Sequence, residues 1–412
     1  MQLSYDICIL GAGPAGVAAA IAARRFGASV LLVDRAGVPG GMATHGGLNI
    51  WCGDAPSSVF SRILEETTQI TSTNRRIFAP EVLKATLIDM LETAGAELLL
   101  HAWATGVETE NGRMTAALLQ TKSGTVRVEA TTFLDCTGDG DIAALCGVPF
   151  AMGREGDGKT QPMTVEFAVG GVDTDRAVFG AEARTPRIME AFRRYLEEGK
   201  ISFPVSALIL IESVEPHTAR VNMTNVIDCD GTNVFHLTRA EIAARKQIPQ
   251  IVAFLRQNVP GYENCCAIHS ATWVGVRESR RITGRYCLCP EDIQQGRVFE
   301  DWIVEGANYC FNAHDPAGQG ASSKGSPKNT GASYTIPYRC FTPVGMENLL
   351  VAGRCISGDH HAMSSYRVMP ICFAMGEGAG TCAAVALRDS TPATALTRAQ
   401  ITRVQTLLRE SR

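Results

Sequence analysis

None of the fourteen cysteines in this 412-residue chain forms a C-x-x-C pair, and no two lie five positions apart. The first absence excludes a zinc ribbon, and the second excludes the redox disulfide of a flavin disulfide reductase. Cys265 and Cys266, like Cys287 and Cys289, stand too close together for ordinary zinc chelation, so no metal site is expected. Cys8, Cys136, Cys372 and Cys382 fall in apolar runs and read as buried, reduced thiols. Charge of one sign is also missing: 38 Lys and Arg against 42 Asp and Glu leave a formal net charge of -4, with no basic stripe. Neither nucleic acid nor an anionic membrane is therefore expected as a partner. No uninterrupted apolar run reaches the roughly 18 residues of a membrane span, and the first residues carry no basic leader with a cleavage site. The expectation is a cytoplasmic protein without membrane insertion. Its 45% hydrophobic and 19% charged residues are those of an ordinary globular chain, long enough for two or three cored units.

What is present begins with "YDICILGAGPAGVAAAIAARRFGASVLLVDR". Residues 6–10 read as a strand covered on both faces. Gly11, Gly13 and Gly16 follow in G-x-G-x-x-G spacing, with Pro14 and Ala15 between them. The first glycine permits a tight turn, the second a close approach to a pyrophosphate, and the third tight helix-strand packing. Residues 15–25 make the helix whose N-terminal amides face phosphate. A second strand, 28–33, ends at Asp34 and Arg35, where the acid suits a ribose diol and disfavours a 2'-phosphate. NAD and FAD both fit this socket.

An NAD dehydrogenase would continue with alternating strands and helices. This chain runs instead into "AGVPGGMATHGGLNIW", in which Gly40, Gly41, Gly46 and Gly47 allow backbone to approach a flat ligand. Met42, His45 and Trp51 are poor choices for a solvated tether. Residues 107–133 read as a β-meander with turns at Asn111-Gly112 and Ser123-Gly124, leading to Thr137-Gly138. A C-terminal stretch returns with a strand at 349–352, then Gly353-Arg354, a loop, and a helix starting near Pro370. Gly376, Gly378 and Gly380 lie inside that helix with no strand before them, so they read as helix packing, and no second site for NAD(P)H is seen.

This order of motifs, with "GVRESRRITGRYCLCPEDIQQGRVFEDWIVEG" and "RVMPICFAMGEGAGTCAA", resembles the FAD-dependent oxidoreductase family over nearly the whole chain. That family has the glutathione-reductase-type FAD fold and is a cousin of the fumarate reductase and succinate dehydrogenase flavoproteins. The resemblance implies an α/β architecture: a Rossmann-like FAD-binding domain in two parts, 1–155 and 331–412, with an inserted α+β substrate or cap domain at 156–330. It implies that Gly11, Gly13, Gly16, Asp34, Thr137 and Gly138 hold the ADP half of FAD. Gly41, Met42, His45, Gly46 and Gly47 form the loop against the isoalloxazine, and Gly353, Arg354, Arg367 and Val368 form the return that closes over it. The dicarboxylate clamp of the fumarate reductases has no clear counterpart, which disfavours fumarate.

In the middle, "MTVEFAVGGV", "ALILIESV" and "TARVNMTNVI" read as strands of a cap sheet. "LTRAEIAARKQIPQIVAFLRQ" reads as a helix capped by Thr238 and Glu241 and kinked at Pro249. The last helix has its own box, Thr397 with Gln400, and Ile401, Val404 and Leu408 on one face. Residues 308–333, with His314 and Asp315, read equally as a surface loop or an active-site lid. Oxidation of an alcohol or amine needs a base, and His45, His360 and His361 are the candidates by position; treated as a strand, the adjacent pair would face opposite ways. Arg277, Arg280, Arg281 and Arg367 are candidate anion holders, with structural pairing favoured for Arg281 and function for Arg367. Cys52 is a weaker candidate as a redox thiol. The expected function is dehydrogenation, or the reverse reduction, of a small polar metabolite by hydride transfer to or from flavin, with a separate electron acceptor. A flavin monooxygenase and an electron-transfer subunit of a larger complex are the alternatives, and homo-oligomerisation is left open.

Overall fold

Residues Ile7, Cys8, Ile9 and Leu10 are all buried, as are Val30–Val33 and Leu349–Val351, because each of these strands is covered on both faces. A computed structural model describes residues 1–71, 75–205, 207–318 and 327–412. The main sheet has seven strands: β1 (Gln2–Leu10), β2 (Val30–Val33), β3 (Glu97–Leu99), β4 (Trp103–Glu110), β5 (Arg113–Thr121), β6 (Gly124–Asp135) and β7 (Leu349–Val351). They run β3-β2-β1-β6-β5-β4, and β7 joins β6. β1 lies parallel to both β2 and β6, with Ile7 opposite Val30 and Thr132. β4, β5 and β6 form the expected antiparallel meander, reversing near Asn111-Gly112 and Ser123-Gly124. The far end of β6 then pairs in parallel with β7, Val351 opposite Asp135. This is the Rossmann-like sheet that the glycine motif implied.

Helix α1 (Pro14–Arg24) crosses from β1 to β2, with Gly13 at its N-cap and Pro14 in its first turn. Nine of its eleven residues are buried, six of them alanines. The small side chains let the C-terminal helix, Met369–Arg388, pack almost backbone to backbone. A Cβ on Gly376 would collide with the carbonyl oxygen of Ala15, and one on Gly380 with that of Ala19. These glycines serve packing, as their sequence context suggested. Gly380→Ala should therefore force the two helices apart and lower stability by roughly 1–3 kcal/mol, measured by urea unfolding. The 369–388 helix is the only one among the described residues long and apolar enough to cross a membrane, and 94% of its most apolar window is buried inside the fold.

The inserted region builds a four-stranded antiparallel sheet from Phe167–Gly170, Leu210–Glu212, Thr218–Val221 and Cys266–Ser270. It has a core of its own around Phe167, Phe192, Phe254 and Tyr262. The long helix Val234–Asn258 packs on it and differs from expectation at its start. Its cap is Asn233, whose carboxamide oxygen accepts from the amides of Phe235 and His236. Thr238 lies inside the helix and donates to the Val234 carbonyl, while Glu241 accepts from the Val274 amide. Asn is as strong a cap as Thr, and starting at Asn233 satisfies the first-turn amides before Thr238 is reached. The helix continues through Pro249 without interruption. The final helix, Arg398–Glu410, has the Thr397 and Gln400 capping box and buries Ile401, Val404 and Leu408.

Candidate functional site

At the C-terminal ends of β1 and β6, where ligands bind open α/β sheets, lies a cavity of about 580 Å³. Gly11, Gly13, Pro14, Ala15, Asp34, Arg35, Gly41, Met42, Thr137, Gly138, Gly353, Arg354 and Arg367 all line it. Gly11 has φ +103° and a Cβ there would overlap the Cys136 carbonyl, while a Cβ on Gly16 would overlap the Gly11 carbonyl. Gly16 thus shapes the turn from behind. Asp34 fixes the loop by accepting from the amides of Ala12 at 2.6 Å and Ala36 at 2.8 Å. Beside it Arg35 lies over the rings of Trp103 and Trp273, at 5.3 and 4.7 Å. Across the cavity Arg354 pairs with Asp139 at 2.6 Å and stacks beneath Gly138, which has φ +80°. The start of the 369–388 helix contributes Met369 and Cys372.

The histidine candidates are placed differently from the positional argument. His45 ends a short helix, Met42–His45, stacks on Trp273 at 4.3 Å, and approaches the Val38 carbonyl at 3.3 Å. It supports the loop and does not line the cavity, and burial lowers its pKa. His360 and His361 open a helix, His360–Tyr366, capped by Asp359. They are not in a strand, so the alternation argument does not apply to them. His360 is buried and its Nδ1 lies 2.8 Å from Glu278. His361 lies against it edge to face, and neither lines the cavity. Gly46 caps the short helix, Gly47 packs against Glu166 and Ala271, and Val368 caps the 369–388 helix.

Glu278 organises what surrounds it. It accepts from Arg281 at 2.5 Å and from the Gln161 amide at 3.0 Å, besides facing His360. Arg281 also reaches the carbonyls of Gly153 and Gly358, so its role is the structural pairing expected. Arg280 pairs with Asp141 at 2.8 Å. Cys52 is a deeply set thiol whose pKa burial raises, the opposite of an activated thiolate. Asp315 accepts from the Ala317 amide and closes a turn. Of the lid segment 308–333, residues 319–326 lie outside the described residues.

Sequence reasoning missed Glu166 and Gln161. Glu166 is 6% exposed, and its Oε2 has no hydrogen-bond partner among the described residues. Its other oxygen accepts from Asn222 at 2.6 Å. Burial pushes its pKa up to about 8, against the opposing pull of Arg277 and Arg220. Its side chain lies against the Gly46-Gly47 loop, since a Cβ on Gly47 would stand 3.1 Å from that of Glu166. A lone acid in the apolar run "MTVEFAVGGV" was the available signal.

A family model for the FAD dependent oxidoreductases matches residues 6–408. The chain belongs to that family. It is a flavoenzyme with FAD as its cofactor, and the residues present fit that group. The glycine turn leaves backbone open beside the cavity, and the buried Nε atoms of Arg354 and Arg367 have no partner among the described residues. No curated protein matches the sequence. Among solved structures, the flavoenzyme is similar to CabE, an aromatic hydroxylase from angucycline biosynthesis, at 12% identity and a TM-score of 0.51. The match covers 98% of this chain and 66% of that one. BexE, a protein of oxidation during BE-7585A biosynthesis, gives 13% identity and a TM-score of 0.51 over 98% and 67%. A geranylgeranyl bacteriochlorophyll reductase-like protein from Thermoplasma acidophilum gives 14% identity and a TM-score of 0.48 over 100% and 84%. At these identities the likeness to CabE and BexE is one of fold.

Proposed function

We propose that the protein oxidises, or in reverse reduces, a small polar metabolite with FAD and passes electrons to a separate acceptor. One observation carries this reading: the large cavity, lined in part by Arg367, is linked through one side chain to a second, smaller recess where Asn222, Arg277 and His314 stand among apolar residues. Gln161 links the two, since its Oε1 accepts from the His314 amide at 3.0 Å and from Arg367 at 3.4 Å. FAD, when bound, supplies the two-electron redox chemistry. Gly13, Pro14, Ala15, Asp34 and Gly138 would hold its ADP half, and Gly41, Met42, Arg354 and Arg367 its flavin half. The protein's share is to seat substrate, exclude water and handle one proton. Glu166, beside the flavin loop and carrying a proton near neutral pH, is a candidate for that last task. Location in the cytoplasm is supported by fourteen free cysteines.

Flavin monooxygenase is the second reading, prompted by the likeness to CabE, an aromatic hydroxylase. The recess favours the first, because it is small and holds the guanidinium of Arg277. Anaerobic mixing of the purified holoprotein with small alcohols, amines and hydroxy acids should bleach the flavin with one of them, while NADH and NADPH leave it oxidised. Rapid bleaching by a nicotinamide would reverse the order of the two readings.

A further inference from the structure

The recess is a cavity of about 40 Å³ whose lining is mostly apolar, with Val205, Ile209 and Met223 on it, and whose polar members include Asn222, Arg277 and His314. A water needs roughly 10–15 Å³ of such volume, so the room is that of about three waters, or of one carboxylate or phosphate group. Arg277 spends one nitrogen on the Pro162 carbonyl and the Thr164 hydroxyl, both at 2.6 Å. Among the described residues neither Arg277 nor Arg367 is within ion-pair distance of a carboxylate. A buried guanidinium without an ion-pair partner among the described residues is costly in a desolvated wall. The strain shows as Arg277 lowered to about 10 by burial and by Arg367. Three polar atoms nearby, Arg367 Nε, Gln161 Nε2 and Glu166 Oε2, are also buried without partners among the described residues.

We infer that this recess is an oxyanion seat: the substrate carries a carboxylate or phosphate group that binds Arg277, while Arg367 lies beyond Gln161 on the cofactor side. This deepens the proposed function and rests on it only for the word substrate. The fork of Arg277 matches either group in two parallel hydrogen bonds. Asn222 and His314 line the recess beside Arg277, and burial together with the two arginines keeps His314 neutral. Glu166 faces Asn222, Arg220, Arg277 and Cys52, and Arg220 is itself committed to Glu215. Neutral below about pH 8, Glu166 leaves the positive charge of Arg277 to the ligand; ionised above it, Glu166 competes with the ligand for that charge. Anion binding should therefore weaken as pH rises through about 8.

The test uses the holoprotein, with malonate, inorganic phosphate and the uncharged malonamide as probes, followed by calorimetry and by perturbation of the flavin spectrum. Malonate or phosphate is expected to bind and malonamide not, and the anion that binds distinguishes a carboxylate from a phosphate ligand. Arg277→Gln should weaken that anion at least tenfold, Arg277→Lys less, and Glu166→Gln should abolish the pH dependence. FAD content measured on each variant shows that it has folded. Equal binding of malonamide, or unchanged anion affinity in Arg277→Gln, would overturn the seat. If no anion binds while a neutral alcohol or amine bleaches the flavin, the seat is wrong and the redox function stands. If anions bind as expected and nothing bleaches the flavin, the seat stands and the redox function does not.

Discussion

Gly13→Asp is expected to yield a folded protein without its yellow colour. Gly13 has φ -69° and ψ -176°, a conformation open to any residue, and a Cβ there would meet only the Cα of Gly41 at 4.0 Å. It is also the N-cap of α1, where Asp is favoured, so the substitution leaves the helix start intact. Its carboxylate, however, enters the cavity where the pyrophosphate of FAD belongs. Two like charges about 4 Å apart at an effective dielectric near 20 repel by about 4 kcal/mol, roughly a thousandfold in affinity. Flavin absorbance per protein and fluorescence titration with added FAD measure the loss. A yellow variant with normal FAD affinity would contradict the assignment of this turn.

The second large effect is on stability. Glu278→Gln removes the only carboxylate among the described residues that faces both Arg281 and His360, and leaves the Arg281 guanidinium, 5% exposed, without its counter-charge. Breaking such a buried pair from one side costs about 3–5 kcal/mol. The urea midpoint should fall by the corresponding amount with little change in slope. Glu305→Gln is the control. Its pairs with Arg409 and Arg412 lie near the surface and should be worth about 1 kcal/mol or less. Similar losses in the two variants would mean that the Glu278 cluster is not the anchor described.

Much of the cofactor half was legible because its signals are local. A glycine turn, a covered strand and an acid at the next strand end stand close together in the chain, and each is dictated by backbone geometry. That Gly376 and Gly380 serve helix packing was readable from their place inside a helix, whereas their partners Ala15 and Ala19 were not. The substrate side was harder to read because its parts meet only in space. Gln161, Glu166, Asn222, Arg277 and His314 come from separated segments, and none has a motif. The histidines were chosen by position, His45 beside the flavin loop and His360 and His361 in the return loop, and position does not give the direction of a side chain. His45 instead stacks beneath the loop on Trp273, and His360 turns toward Glu278.

The late return of β7 to the edge of β6 also bears on how the protein is made. Arg354, Arg367 and the helix that covers α1 leave the ribosome long after the glycine turn. Until then the alanine face of α1 is bare and the nucleotide site has no far wall. Coenzyme loading must wait for that return segment, and a nascent chain halted before residue 349 would be a client for chaperones.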